Sequence, residues 1–202
     1  MGVRAGHEPH SARFDAESDV AAIVYGSADN PDRVLTEFAA DLQMSGARVA
    51  GLIQHARDRE LRSAAGLSAL LLPSGREIVV PHRHDPVTNA CCLEPRGLAR
   101  VAAALASAIG AGADLLVINR YGTLERDGGG LLRAIGLALE ADIPILIAVP
   151  EGNFRAWTTY SAGMSVKLAC QRQDLAAWWR SVATIPLDAP RARTTTLCET
   201  IK

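Results

Sequence analysis

Apolar runs of strand length alternate along this chain with amphipathic stretches, and that alternation restricts the fold more than any other feature. VAAIVYG (20–26) is a mostly apolar run closed by Gly, as expected of a strand covered on both faces. PDRVLTEFAADLQMSG (31–46) opens on a Pro suited to the first helical position and closes on Gly. Within it Val34, Phe38 and Leu42 recur every four residues as a helical stripe. RVAGLIQ (48–54), LLVIN (115–119) and IPILIAVP (143–150) read as further strands. Leu98, Val101, Leu105 and Ile109 mark a second helical face, and LLRAIGLALEA (131–141) a third helix, with NFRAWTTYSAG and DLAAWWRSVA as two more. Strands joined by helices imply parallel pairing with right-handed crossovers, so the expected fold is a three-layer α/β domain. LSALLLPSGREIVVP (67–81) breaks the rhythm. Its two β-rich runs around Pro73-Ser74-Gly75 predict a β-hairpin at the sheet edge or as an insertion.

The 202 residues are 49% hydrophobic and 21% charged, which suits one domain with a sizeable core, assigned to 19–185. Residues 1–18 read as a polar, flexible lead-in without a signal-peptide core, and 186–202 as a tail. A net charge of −1 gives no general attraction to nucleic acid, and no apolar run has the length needed to span a bilayer. Four cysteines at irregular spacing do not make a disulfide scaffold, so a cytoplasmic chain with reduced thiols is expected.

In such sheets ligands bind beyond the carboxyl ends of the strands, which gathers the loops 26–30, 119–130 and 150–153 on one rim. The first loop, in VYGSADNPDRV, occupies the place of a P-loop phosphate cradle. That motif, G-x-x-x-x-G-K-[ST], uses backbone N–H groups, a Lys and a Ser/Thr magnesium ligand. Gly26 can be its first glycine, but Pro31, Asp32 and Arg33 stand where the second glycine, the Lys and the Ser/Thr belong. A Gly-Ser turn feeding a helix N-terminus still favours an anion, with Gly26, Ser27 and Asn30 lining it and Arg33 adding positive charge. The plainer alternative is that Ser27, Asp29 or Asn30 simply caps the helix.

The second loop leaves the strand LLVIN through Asn119, Arg120, Tyr121 and Gly122. P-loop enzymes end a neighbouring strand in an acid that helps hold magnesium. An amide in that place, followed by a guanidinium, turns a cation site toward an anion. Glu125 is then a candidate to orient Arg120 or to act as a general base, and Gly128, Gly129 and Gly130 allow close backbone approach or loop motion. A surface ion pair on a flexible linker is the structural alternative.

GADLLVINRYGTLERDGGGLLRAIGLALEADIPILIAVPEGNFRAW, the upstream ACCLEPRGLARVAAAL and RVAGLIQ together resemble an uncharacterised bacterial family encoded beside molybdate-transport genes. That family is distantly similar to P-loop nucleoside triphosphatases, here without the phosphate-binding lysine. The resemblance runs from about Val20 to the helix containing Trp178, with Asn119–Glu125 and Cys91-Cys92-Leu93-Glu94-Pro95 as its most specific parts. It implies a P-loop-like fold and a link to molybdenum or a related oxyanion, and it brings no established activity.

PHRHDPVTNACCLEP holds a further candidate. His82 and His84, at i and i+2 of a strand, face the same way and could chelate a metal, with Cys91 or Cys92 completing a soft site. The spacing matches no standard zinc motif, and exposed histidines with core thiols are the alternative. Cys91 could also line the ligand pocket. Trp157, Trp178 and Trp179 read as packing residues.

Three functions follow. The leading one is a non-hydrolytic binder of a small oxyanion, molybdate or tungstate by resemblance, whose partners are molybdenum-pathway proteins or a second copy of itself. A nucleotide-binding phosphohydrolase or phosphotransferase with a degenerate P-loop is the second, with Glu125 as base. The third is a transition-metal-binding accessory protein built on His82, His84, Cys91 and Cys92.

Overall fold

The computed structural model describes residues 18–54, 67–84 and 91–183. The tail, and the lead-in apart from Ser18, lie outside the described residues. Strand β1 (Val20–Tyr25) leads into helix α1 (Pro31–Met44) and then β2 (Val49–Gln54). Strands β3 (Leu67–Leu72) and β4 (Arg76–Val80) form the expected hairpin across Pro73-Ser74-Gly75. A two-stranded sheet of β5 (His82–His84) and β6 (Cys91–Leu93) follows, then α2 (Pro95–Gly110) and β7 (Leu115–Ile118). The chain continues through the one-turn helix α3 (Thr123–Arg126), α4 (Leu132–Glu140) and β8 (Ile145–Pro150). A 3-10 turn, Glu151–Asn153, leads to α5 (Phe154–Tyr160), β9 (Val166–Leu168) and α6 (Arg172–Val182).

The main sheet has the order β4-β3-β2-β7-β8-β1-β9. From β2 to β9 every pairing is parallel, and the β3–β4 hairpin adds two antiparallel strands at one edge. The fold is therefore a three-layer, P-loop-like α/β sheet with a β-hairpin on its edge. The hairpin sits at the edge because its second strand is solvent-facing over most of its length, a pattern that two covering layers would not tolerate.

Side chains along each central strand alternate between two cores, as the period of two requires. Ile145, Ile147 and Val149 face the layer formed by α2, α4 and α5, together with Leu116, Ile118 and Ala22. Leu146 and Ala148 face α1 and α6 with Leu115, Val117, Ala21 and Ile23. Both faces of β7 and β8 are dry, which explains their uninterrupted apolar sequences. Trp157 belongs to the first core, Trp178 and Trp179 to the second, all as packing residues. Among the described residues no helix is long and apolar enough to cross a membrane.

The order also fixes where a site can form. From β1 the chain crosses to β2 on one side, whereas from β8 it passes β1 to reach β9 on the other. The connections leave these neighbouring strands in opposite directions, the arrangement in which open α/β sheets bind ligands at their carboxyl ends.

Candidate functional site at the strand ends

The first loop is closed on itself. The Gly26 N–H donates to Asp29 Oδ2 at 2.8 Å, and the Asp29 N–H donates to the Gly26 carbonyl at 3.3 Å. Asn30 caps α1, accepting the Arg33 N–H on Oδ1 at 3.1 Å. The Arg33 side chain is exposed and turns along the helix toward Glu37, 3.9 Å away. Ser27 is exposed. The backbone N–H of Gly26 and the cap of α1 thus have acceptors within the chain.

Asp32 is the residue of this segment with the least ordinary environment. It is 2% exposed at the second position of α1, where the free N–H groups of the first turn favour an anion. Its Oδ1 accepts a hydrogen bond from Asn119 Nδ2 at 2.9 Å, and Asn119 is itself only 3% exposed. One N–H of the amide at the end of β7 is therefore committed to a carboxylate in the first turn of α1, which leaves its second N–H and its oxygen for other partners. In sequence Asp32 registers only as the residue standing in the place of the P-loop lysine, because its partner Asn119 lies 87 positions away.

The second loop continues the sheet before it turns. Asn119 N–H donates to Leu52 O at 3.2 Å and Tyr121 N–H to Ala148 O at 2.8 Å. Tyr121 is buried against Trp157, ring centroids 5.3 Å apart and nearly edge-on, with Tyr160 alongside. Burial first, then Tyr160 and the Glu125 carboxylate, push its phenol above the ordinary tyrosine value, so it stays protonated through the physiological range. Arg120 lies between these anchors. Its Nε is buried and meets no acceptor among the described residues.

Glu125 is 7% exposed. Its Oε2 accepts the Gly122 N–H at 2.9 Å and its Oε1 the Leu131 N–H at 3.0 Å. As the third residue of α3 it reaches back to the N-cap, half of a capping box, and at the same time holds the far end of the loop. Gly128 and Gly130 take positive φ values of 87° and 60°, which lets the chain return to that carboxylate.

The third loop ties the rim together. Asn153 Nδ2 donates to the Tyr121 carbonyl at 3.0 Å. The Glu151 carboxylate lies against Gly26, its Oε2 3.5 Å from where a Cβ on that glycine would stand. The three loops expected on one rim are thus cross-linked pairwise, by Asp32 to Asn119, by Asn153 to Tyr121 and by Glu151 over Gly26. The sequence marked the loops that hold Glu151, Asn153 and Tyr121 but gave none of the three side chains a role. The β5–β6 register sets His84 opposite Cys91 and Arg83 opposite Cys92, and pairs His82 with Leu93, in a separate two-stranded sheet.

A family model described as a protein of unknown function (DUF2478) matches residues 20–178, from β1 into α6. The chain belongs to this family. Its matched span contains every strand of the main sheet and all three rim loops, so the cross-links above lie inside the DUF2478 unit. The chain is also similar to the molybdenum import ATP-binding protein ModC 2 of Bradyrhizobium diazoefficiens, 39% identical over 165 residues. That alignment covers 82% of this chain and 18% of the relative, so the chain spans less than a fifth of that protein's length. The similarity links this DUF2478 chain to ModC-like proteins. No solved structure matches it.

Proposed function

We propose that this domain is a non-hydrolytic binder of a small tetrahedral oxyanion, molybdate or tungstate, acting in molybdenum handling. The observation that carries the reading is Arg120. A guanidinium N–H buried without an acceptor costs about 1–3 kcal/mol, and a ligand oxygen would satisfy it. Asn119 and Gly122, the neighbours of Arg120 along its loop, complete the proposed site. The first loop, read from sequence as lining through Gly26, Ser27, Asn30 and Arg33, has its Gly26 and Arg33 N–H groups bonded to Asp29 and Asn30 and stays outside it. The choice of molybdate or tungstate is supported by the similarity to a protein named for molybdenum import, carried over from a fifth of its length.

Several features support binding over phosphoryl transfer. Of the two lysines in the chain, Lys167 stands over the Phe154 ring, 5.2 Å from its centroid, and Lys202 lies outside the described residues. Asp29 holds the Gly26 N–H that a phosphate would use, and Glu151 adds a second carboxylate beside it. Those charges repel a polyphosphate. Glu125, the candidate base, already accepts two backbone N–H groups.

Calorimetric titration tests the proposal. Molybdate and tungstate are expected to give saturable heat, ATP with magnesium none, and Arg120→Ala is expected to weaken molybdate by at least about tenfold through loss of a charge-assisted bond. Absence of heat with molybdate, tungstate, phosphate and sulfate alike rejects it.

A further inference from the structure

We infer that Glu125 is a positioning residue: together with Gly130 it locks the loop that presents Arg120, and it acts on an anion only through that arginine. The inference rests on the oxyanion reading above and gives this carboxylate a role other than proton transfer.

A carboxylate that holds two separate points of the backbone is a structural tie whatever else its remaining lone pairs do. Here each Glu125 oxygen has a backbone partner, Gly122 N–H for Oε2 and Leu131 N–H for Oε1, at 2.9 and 3.0 Å. The two bonded amides stand on either side of α3 and the glycine run, so one side chain closes the whole loop. Bonds of this kind to a charged acceptor are about twice as strong as neutral ones.

The lock depends on an unoccupied volume at residue 130. A Cβ on Gly130 would lie 2.0 Å from Glu125 Oε1 and 2.7 Å from its Cδ. Any other residue there forces the carboxylate off Leu131, and the φ of 60° adds its own strain. The mechanical connection to Arg120 runs through Gly122. A Cβ on Gly122 would stand 3.2 Å from Glu125 Oε2 and 4.0 Å from Arg120 Cγ, so the glycine that Glu125 holds lies between the carboxylate and the arginine stem, two residues along the chain from Arg120. Arg120 is set from the other side by the Asn119 and Tyr121 backbone bonds to β2 and β8. The backbone at the root of Arg120 is thereby fixed, and among the described residues no carboxylate pairs with its guanidinium to compete with a ligand. Pre-organisation of this kind spares a ligand the ordering of a long side chain.

Two measurements test the lock on the full chain. In the first, molybdate is titrated into wild type, Arg120→Ala, Glu125→Gln, Gly130→Ala and the double variant Arg120→Ala/Glu125→Gln. Glu125→Gln keeps the shape but turns an amide N–H toward one backbone donor, and Gly130→Ala displaces the carboxylate while leaving it in the chain. Each is expected to weaken molybdate about tenfold, and the double variant to bind no more weakly than Arg120→Ala. Losses that add in the double variant overturn the inference.

The second measurement needs no ligand. Hydrogen exchange at the Arg120 Nε–H, followed by nitrogen-15 NMR, is expected to speed up at least about tenfold in Glu125→Gln and in Gly130→Ala as the loop opens. Unchanged exchange in both variants overturns the inference, whatever the titration gives. Wild type without molybdate heat but with faster exchange in the variants rejects the oxyanion reading and keeps the lock.

Discussion

Replacing Asn119 by Asp is expected to cost about 3–5 kcal/mol of stability at neutral pH, the scale for an uncompensated charge in a buried pair. Asn119 Nδ2 donates to Asp32 Oδ1 at 2.9 Å, and both residues are all but inaccessible. The substitution exchanges the donor for a second carboxylate oxygen at hydrogen-bond distance from the first. Two like charges so placed cannot both ionise cheaply, and one carboxyl retains its proton well above the usual carboxylate range. The sign of the pH dependence follows. Well below the unfolded carboxylate pKa, about 4, the unfolded chain carries the same extra proton as the folded one, and the penalty vanishes. As pH rises from there toward the raised folded value, the unfolded chain releases its proton first and the variant loses stability. Urea unfolding of wild type and Asn119→Asp at pH 4.5 and pH 8 is therefore expected to give midpoints that diverge toward pH 8. An equal gap at both pH values would show that the two side chains do not share a site.

Gly51→Ala is expected to be as damaging, through sterics instead of charge. Gly51 sits in the middle of β2, in register with Val117 of β7 on one side and Leu72 of β3 on the other. A Cβ there would lie 2.5 Å from the Val117 carbonyl oxygen and 3.0 Å from the Val117 Cβ. Backbone atoms held in a ladder on both sides cannot retreat as a flexible side chain can. Overpacking a well-filled core costs about 1–3 kcal/mol, and the backbone clash places this site at or above the upper figure. For a chain of this size that corresponds to a melting temperature lower by roughly 6–12 °C. Gly136→Ala is the matched control, since a Cβ in that position of α4 meets nothing within 4 Å. It is expected to stabilise the helix by up to about 1 kcal/mol. Thermal unfolding followed by circular dichroism separates the two. A Gly51→Ala variant that melts within a degree of wild type would contradict the packing of β2 on β7.

Parts of the rim were legible in the sequence because short-range chemistry fixes them. Asn30 before Pro31 is a helix cap by local preference, and the structure uses it as one. Pro73-Ser74-Gly75 between two β-rich runs forms its hairpin wherever the hairpin is placed. The polar exit of LLVIN through Asn119 and Arg120 marked the second loop, although the one-turn helix α3 inside it was not visible. Strand β9 escaped notice too. Three residues, Val166, Lys167 and Leu168, are too short for a periodic signal, and they become a strand only because β1 offers an edge to pair with.

Residue order was enough to set the kind of molecule: alternating apolar runs and amphipathic helices require a covered parallel sheet, and such a sheet puts its loops on one rim. Tertiary structure alone decided what that rim is made of. Asn119 meets Asp32 across 87 positions of chain, Asn153 meets Tyr121 across 32, and Glu151 comes to rest on Gly26. Glu125, which in sequence could orient, catalyse or pair, is committed by the return of the glycine loop to two backbone amides. Hydrogen-bond partners at such separations are chosen by strand order and not by neighbouring residues. The carboxylates and the buried Arg120 Nε therefore owe their places to a strand order that sets β8 between β7 and β1.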